Sequence, residues 1–182
     1  DKVVLVHNGI IENFQELKDE VMAGGAVLAS ETDTEVVAHL ITRYLQNGDD
    51  PQTAAAKTLK RLQGAFSLGI LFAGFPDLMI AARRGTPLAI GLGDGETYLG
   101  SDALALSHLT QRIAYLDEGD WVELRRDGVA FFDEHDAARS ASAAIQQAKW
   151  IAPVYAIGVL ATVFHLANGI WTALITWGIT VK

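Results

Sequence analysis

The 182 residues contain no cysteine. That excludes disulfides and thiolate metal sites, and it leaves no cysteine nucleophile within the chain. Positive charge is also short. Fourteen Lys and Arg face 22 Asp and Glu, giving a net charge of −8 and a pI near 5.0. Nonspecific nucleic-acid binding needs a basic surface, so nucleic acid is excluded as a partner. Asp1-Lys2 leads into only four apolar residues, and no signal peptide is expected there. No internal repeat is apparent. From Trp150 to Val181 formal charge is absent altogether. Half of the residues are hydrophobic, enough for one cored domain and an appendage.

What is present begins at Val3-Val4-Leu5-Val6, a short apolar run that stops at His7-Asn8-Gly9. Four β-favouring residues before a turn signal predict a buried strand that ends at this tripeptide. Asn-Gly there has two readings. One is a plain turn into a helix. The other is a pocket for developing negative charge on oxygen, built from freed backbone N–H groups and the Asn8 amide.

Helical spacing of Phe14, Leu17 and Val21 predicts a helix from Ile11 to Met22, ended by Gly24-Gly25. A short strand is expected at Ala26–Ala29. A second helix starts near Thr34, with Thr32 or Asp33 as its cap and Val36, Val37, Leu40, Ile41 and Leu45 on its apolar face. Capping gives Asp33 a structural role that needs no ligand. Glu31, Asp33 and Glu35 alternate, which suits a solvated cluster at a helix start, and no metal is assigned to them. Asp50-Pro51 opens a third helix, to about Leu62.

Short strands then follow at 65–72, 78–82, 88–91, 96–99, 112–116, 121–124 and 129–132, with a short helix capped by Ser101-Asp102. Asp94-Gly95 and Asp127-Gly128 fit hairpin turns. Gly91-Leu92-Gly93-Asp94-Gly95 lacks the glycine spacing of a phosphate loop and reads as a hairpin. Helices followed by antiparallel strands predict an α+β layered domain. From Asp133 to Gln147 the chain is small and polar, with no strand pattern. It reads as a linker or weak helix, giving a domain over 1–133, a linker over 134–149 and a tail over 150–182.

His7-Asn8-Gly9-Ile10-Ile11-Glu12-Asn13 followed by Ser30-Glu31-Thr32-Asp33-Thr34-Glu35 resembles the glutaminase domain of the glutamine–fructose-6-phosphate aminotransferases. These are class-II glutamine amidotransferases of the N-terminal-nucleophile hydrolase fold. The similarity continues through Gly64-Ala65-Phe66, Ala82 to Leu88, Gly93 to Glu96, Gly100 to Ala103 and Gly119-Asp120-Trp121, and spans roughly 1–133. It implies stacked antiparallel sheets with helical layers. It implies an oxyanion hole at Asn8 and Gly9, and Asp33 as the residue holding the α-amino group of glutamine. It implies no cofactor and a cytoplasmic location. The family's nucleophile is an N-terminal cysteine, which the resemblance places upstream of Asp1 with an Arg- and Trp-bearing segment. The expectation is an incomplete domain that binds glutamine weakly and does not turn it over alone.

The charge-free run exceeds the roughly 20 residues needed to span a bilayer. Trp150 and Trp177 lie near its ends, Lys149 and Lys182 flank it, and Pro153 sits in the first turn. A membrane-associated apolar helix is expected. Gly158, Thr162, His165, Gly169, Thr172 and Thr176 share a small-residue stripe that suits helix–helix self-association. His165 on it has two readings, an axial haem ligand or a hydrogen-bonded packing residue. Tyr155 to Thr180, including Phe164 to Gly169 and Thr176 to Thr180, resembles the last part of a succinate dehydrogenase cytochrome b membrane subunit. There the histidine at the position of His165 ligates haem, which implies haem as a cofactor of the tail. Two unrelated resemblances in one chain also fit a non-natural chimera.

Overall fold

The computed structural model describes residues 2–126, 128–136 and 138–139. The chain starts with strand β1 (Val3–Ile11), then helices α1 (Phe14–Ala23), α2 (Asp33–Gln46) and α3 (Pro51–Leu59). Strands β2 (Gly64–Phe72), β3 (Met79–Arg84), β4 (Ala89–Leu92) and β5 (Thr97–Gly100) follow. Helix α4 (Ala103–Leu106) precedes β6 (Ile113–Tyr115), β7 (Trp121–Arg125), β8 (Gly128–Phe132) and β9 (Ala138–Arg139).

The strands form a six-stranded sheet in the order β1-β2-β3-β7-β8-β9 and a three-stranded sheet in the order β5-β4-β6. Every pairing is antiparallel. Alternation along each strand gives the large sheet two apolar faces. One face carries Ile11, Phe66, Leu68, Ile70, Ile80 and Trp121, and packs with Leu17, Val36, Val37, Leu40, Ile41 and Ala55 of the helices. The other carries Ala81, Val122, Leu124 and Phe131, and packs with Leu88, Ile90, Ala114 and Leu116 around the small sheet. The layers are therefore helices, sheet, sheet, as the α+β reading requires.

Local chemistry sets the helix starts. Thr32 caps α2 by accepting from the Glu35 N–H, and Asp50 caps α3 by accepting from Thr53 with Pro51 in the first turn. Asp102 caps α4 through the Ala105 N–H. Gly95, with φ of 73°, makes the turn between β4 and β5. Asp127 of the other expected turn lies outside the described residues.

Four local expectations need correction. β1 does not stop at His7-Asn8-Gly9. It runs on to Ile11, because β2 offers partners along its whole length, from Val3 opposite Phe72 to Ile11 opposite Gly64. Consequently α1 begins at Phe14 and not at Ile11. Ala26–Ala29 forms no strand, since the Ala29 and Ser30 N–H groups are taken by the Glu35 carboxylate at 2.7 and 2.6 Å. Ala138–Arg139 pairs with β8 inside the stretch where no strand pattern is legible.

β1 is an edge strand among the described residues. Its even positions face away from the helices, and Val4, Val6 and Ile10 are 64–69% exposed there. No helix among the described residues is long and apolar enough to cross a membrane. The expected helix over 150–182, its small-residue stripe and His165 all lie outside the described residues.

Candidate functional site

Asn8 and Gly9 sit in the second half of β1, opposite Ser67 and Phe66 of β2. Gly9 has φ of +124°, where side chains are rarely tolerated, and a Cβ there would meet the Ala65 carbonyl oxygen at 2.2 Å. Glycine is required at this position by its neighbour's backbone. The Asn8 side chain points to the open face, is exposed, and has no hydrogen-bond partner among the described residues. Its amide is free to donate to a ligand.

Asp33 reaches this strand from α2. Its Oδ2 accepts from the Ile11 N–H at 3.0 Å, and its Oδ1 accepts from its neighbour Thr34 at 3.3 Å. His7 Nδ1 stands 3.4 Å from the same Oδ1 and 3.1 Å from Thr34 Oγ1. Asp33 therefore meets β1 on both sides of the Asn8-Gly9 pair. The structure sets Asp33 against the strand that carries Asn8 and Gly9, through Ile11 and His7. It also shows that capping is not the role of Asp33, since Thr32 holds that place. A carboxylate has about four acceptor positions, so two such bonds leave capacity for an ammonium group.

The Ile11 N–H is directed away from β2, whereas the Glu12 N–H bonds to Gln63 O on the β2 side. Strand parity places the Gly9 N–H on the same open edge as that of Ile11. Asp33, 22% exposed, takes the Ile11 N–H at the end of the strand, and the Gly9 N–H and the exposed Asn8 amide lie two and three residues before it. A carboxylate can pair with an ammonium group, and amide N–H donors can stabilise an oxyanion.

Neighbouring residues fix this frame. Asn13 donates to Arg61 O and accepts from the Gln63 N–H, which bolts the end of β1 to the approach of β2. Glu35 takes the Ser30 hydroxyl, the Ala29 N–H and the Ser30 N–H, which lower its carboxyl to about 2, well below the usual range. It organises the loop that precedes Asp33. Glu35 thus faces its own loop, while Asp33 faces β1, and the alternating acids do not converge. Among the described residues no group of three metal-binding side chains is found. A cleft of about 510 Å³ opens elsewhere, beside Lys2, Pro51, Phe72 and Arg125 at the opposite end of β1. His7 and Thr34 escaped the residue-level reading, because their link spans 27 positions.

Residues 1–108 match the glutamine amidotransferase domain family. A glutamine–fructose-6-phosphate aminotransferase (isomerizing) of Zymomonas mobilis is 60% identical over 134 residues, 74% of this chain and 22% of that protein. The enzyme of the same name from Mesorhizobium japonicum is 58% identical over 133 residues, 73% of this chain and 22% of that protein. The chain spans less than a quarter of the length of these curated relatives. Among solved structures, the glutamine phosphoribosylpyrophosphate amidotransferase from B. subtilis, complexed with ADP and GMP, aligns with a TM-score of 0.61 at 27% identity. It covers 72% of this chain and 29% of that one. A glutamine aminotransferase class-II domain protein from Silicibacter pomeroyi gives a TM-score of 0.57 at 18% identity, a likeness of fold, over 74% of this chain and 68% of that one.

Proposed function

The chain belongs to the glutamine amidotransferase domain family, and we propose that its residues 1–133 are the glutamine-hydrolysing part of a glutamine–fructose-6-phosphate aminotransferase. The observation that carries this is the docking of Asp33 onto β1 beside Asn8 and Gly9. Asp33 takes the α-amino group of glutamine, an ion pair strengthened by charge-assisted hydrogen bonds. The side-chain carboxamide then reaches along β1 to Asn8. Asn8 Nδ2 and the Gly9 N–H donate to the carboxamide oxygen as it becomes an oxyanion.

The attacking thiolate of such a reaction comes from outside these residues, which hold no cysteine. Sulfur bonds to the amide carbon, the C–N bond breaks, and the protonated nitrogen leaves as ammonia. Water then hydrolyses the thioester to glutamate. The 182 residues alone supply the oxyanion site and the ammonium site and not the nucleophile. Ammonia release from glutamine, assayed with the 182-residue chain, should match a no-protein control. Release above that control that vanishes in Asn8→Ala would mean that another residue attacks, and this assignment of roles would fall.

A second reading concerns the tail and rests on one observation, the charge-free run from Trp150 to Val181. We propose a membrane-competent helix there, self-associating through Gly158, Thr162 and Gly169, with His165 as a candidate haem ligand. The test adds haem to the detergent-extracted chain and compares the Soret spectra of wild type and His165→Ala. Identical spectra for the two remove the ligand role. A chain that stays monomeric in water without detergent removes the membrane reading.

A further inference from the structure

The helix-facing side of β1 carries Val3, Leu5, His7, Gly9 and Ile11, and His7 is its one polar side chain. That side chain is only 4% exposed. Its Nε2 is buried and has no hydrogen-bond partner among the described residues. An aliphatic side chain, as at the flanking positions, would fill the space without leaving a buried polar atom unmatched. The other ring nitrogen shows what the histidine does instead.

Nδ1 lies 3.1 Å from Thr34 Oγ1, and Thr34 Oγ1 donates to Asp33 Oδ1. A hydroxyl has one proton. With that proton given to Asp33, Thr34 can only accept from the ring, so the shared proton belongs to Nδ1. The network thereby places a proton on Nδ1, and Nε2 takes no part in it. The bonds run in one direction, from His7 to Thr34 to Asp33, and Ile11 N–H closes on the other carboxylate oxygen at 3.0 Å.

We propose that His7 is the positioning residue for Asp33, fixing through Thr34 the plane in which the carboxylate meets a ligand's ammonium group. This rests on the reading of Asp33 as the ammonium site. One oxygen is held by backbone and the other by the His7–Thr34 pair. Rotation about the last side-chain bond of Asp33 is thus blocked from both ends. Pre-set orientation lowers the ordering cost of binding. His7 lies behind Asp33 and does not touch the ligand.

Two measurements on the full 182-residue chain test this. Long-range proton–nitrogen NMR of the His7 ring is expected to show Nδ1–H, with the Nδ1 signal displaced in Thr34→Val. An Nε2–H tautomer overturns the proposal. The second measurement titrates glutamine, and its analogue lacking the α-amino group, against backbone amide shifts. His7→Asn places an amide donor where Nδ1–H stood, and His7→Gln places it near Nε2. We expect His7→Ala and His7→Gln to weaken glutamine about fivefold, the loss of roughly one hydrogen bond, and to leave the analogue unchanged. His7→Asn should bind within about twofold of wild type by the same reasoning. Equal weakening of both ligands, or equal weakening in all three variants, overturns the proposal. If wild type binds neither ligand, the glutaminase reading fails, and the Ile11 amide shift decides for His7. That signal should move in His7→Ala and be restored in His7→Asn, and an Ile11 signal indifferent to His7 overturns the positioning role.

Discussion

Asp33 Oδ2 accepts from the Ile11 N–H at 3.0 Å and so ties the first residue of α2 to the last residue of β1. The two residues are 22 positions apart. The bond satisfies an N–H that faces away from β2, at an edge where strands otherwise leave such groups open. It also brings a carboxylate to the strand that carries Asn8 and Gly9.

Asp33→Ala removes a charge-assisted bond to a partly buried N–H. We expect urea unfolding to report a loss of about 1–3 kcal/mol. Asp33→Asn should lose less, because the amide oxygen can still accept from Ile11. Equal losses in the two variants would contradict the tie.

Gly9 and Asn8 should separate in their costs. Gly9→Ala forces a side chain into φ of +124° and toward Ala65 O. It should destabilise by about 2 kcal/mol or more. Asn8→Ala changes an exposed side chain with no partner among the described residues and should stay within about 0.5 kcal/mol. Thermal melts of both variants check this. A large loss for Asn8→Ala would give Asn8 a structural role that the fold does not show.

Glu20 accepts from Arg61 and Arg43, and so joins α1 to α2 and to the turn that follows α3. The bond from Arg61, then that from Arg43, lowers its carboxyl from 4.5 to about 2. A depressed folded value means stability that is complete above the unfolded value. It is lost as pH falls from 4.5 toward 2. Glu20→Gln should therefore lower the melting temperature near pH 7, and its gap from wild type should close over that window. The Glu20 side chain is 40% exposed, so solvent screening keeps the effect modest. A gap unchanged from pH 7 to pH 2 would refute the linkage.

Glu35 gives a local counterpart. Hydrogen exchange at the Ala29 and Ser30 amides should be slow in wild type and fast in Glu35→Gln, since one charged acceptor serves both. The carboxyl is lowered from 4.5 to about 2, first by the Ser30 hydroxyl and then by the Ala29 N–H. Protection should accordingly persist at neutral pH and fade below pH 4.5. Fast exchange of both amides in wild type at pH 7 would remove the loop-holding role.

The sequence by itself determined what depends on near neighbours. Apolar spacing marked the helix that carries Val36, Val37, Leu40 and Ile41, and period-two runs marked the strands from Ala65 to Phe132. The helix starts at Thr32 or Asp33, Asp50-Pro51 and Ser101-Asp102 were legible, because a cap bonds within three residues of itself. Only the tertiary structure decided what depends on distant partners. His7-Asn8-Gly9 has the composition of a turn, yet β2 holds it as strand, and Gly9 takes its unusual φ against the backbone of Ala65. Ala26–Ala29 is a short apolar run, yet Glu35 claims its end. Whether Asp33 caps a helix or faces a ligand was open in the sequence. The fold gives the cap to Thr32 and bonds Asp33 to a strand 22 residues earlier in the chain. Local preferences are worth tenths of a kcal/mol per residue, and one long-range hydrogen-bonded pairing outweighs them.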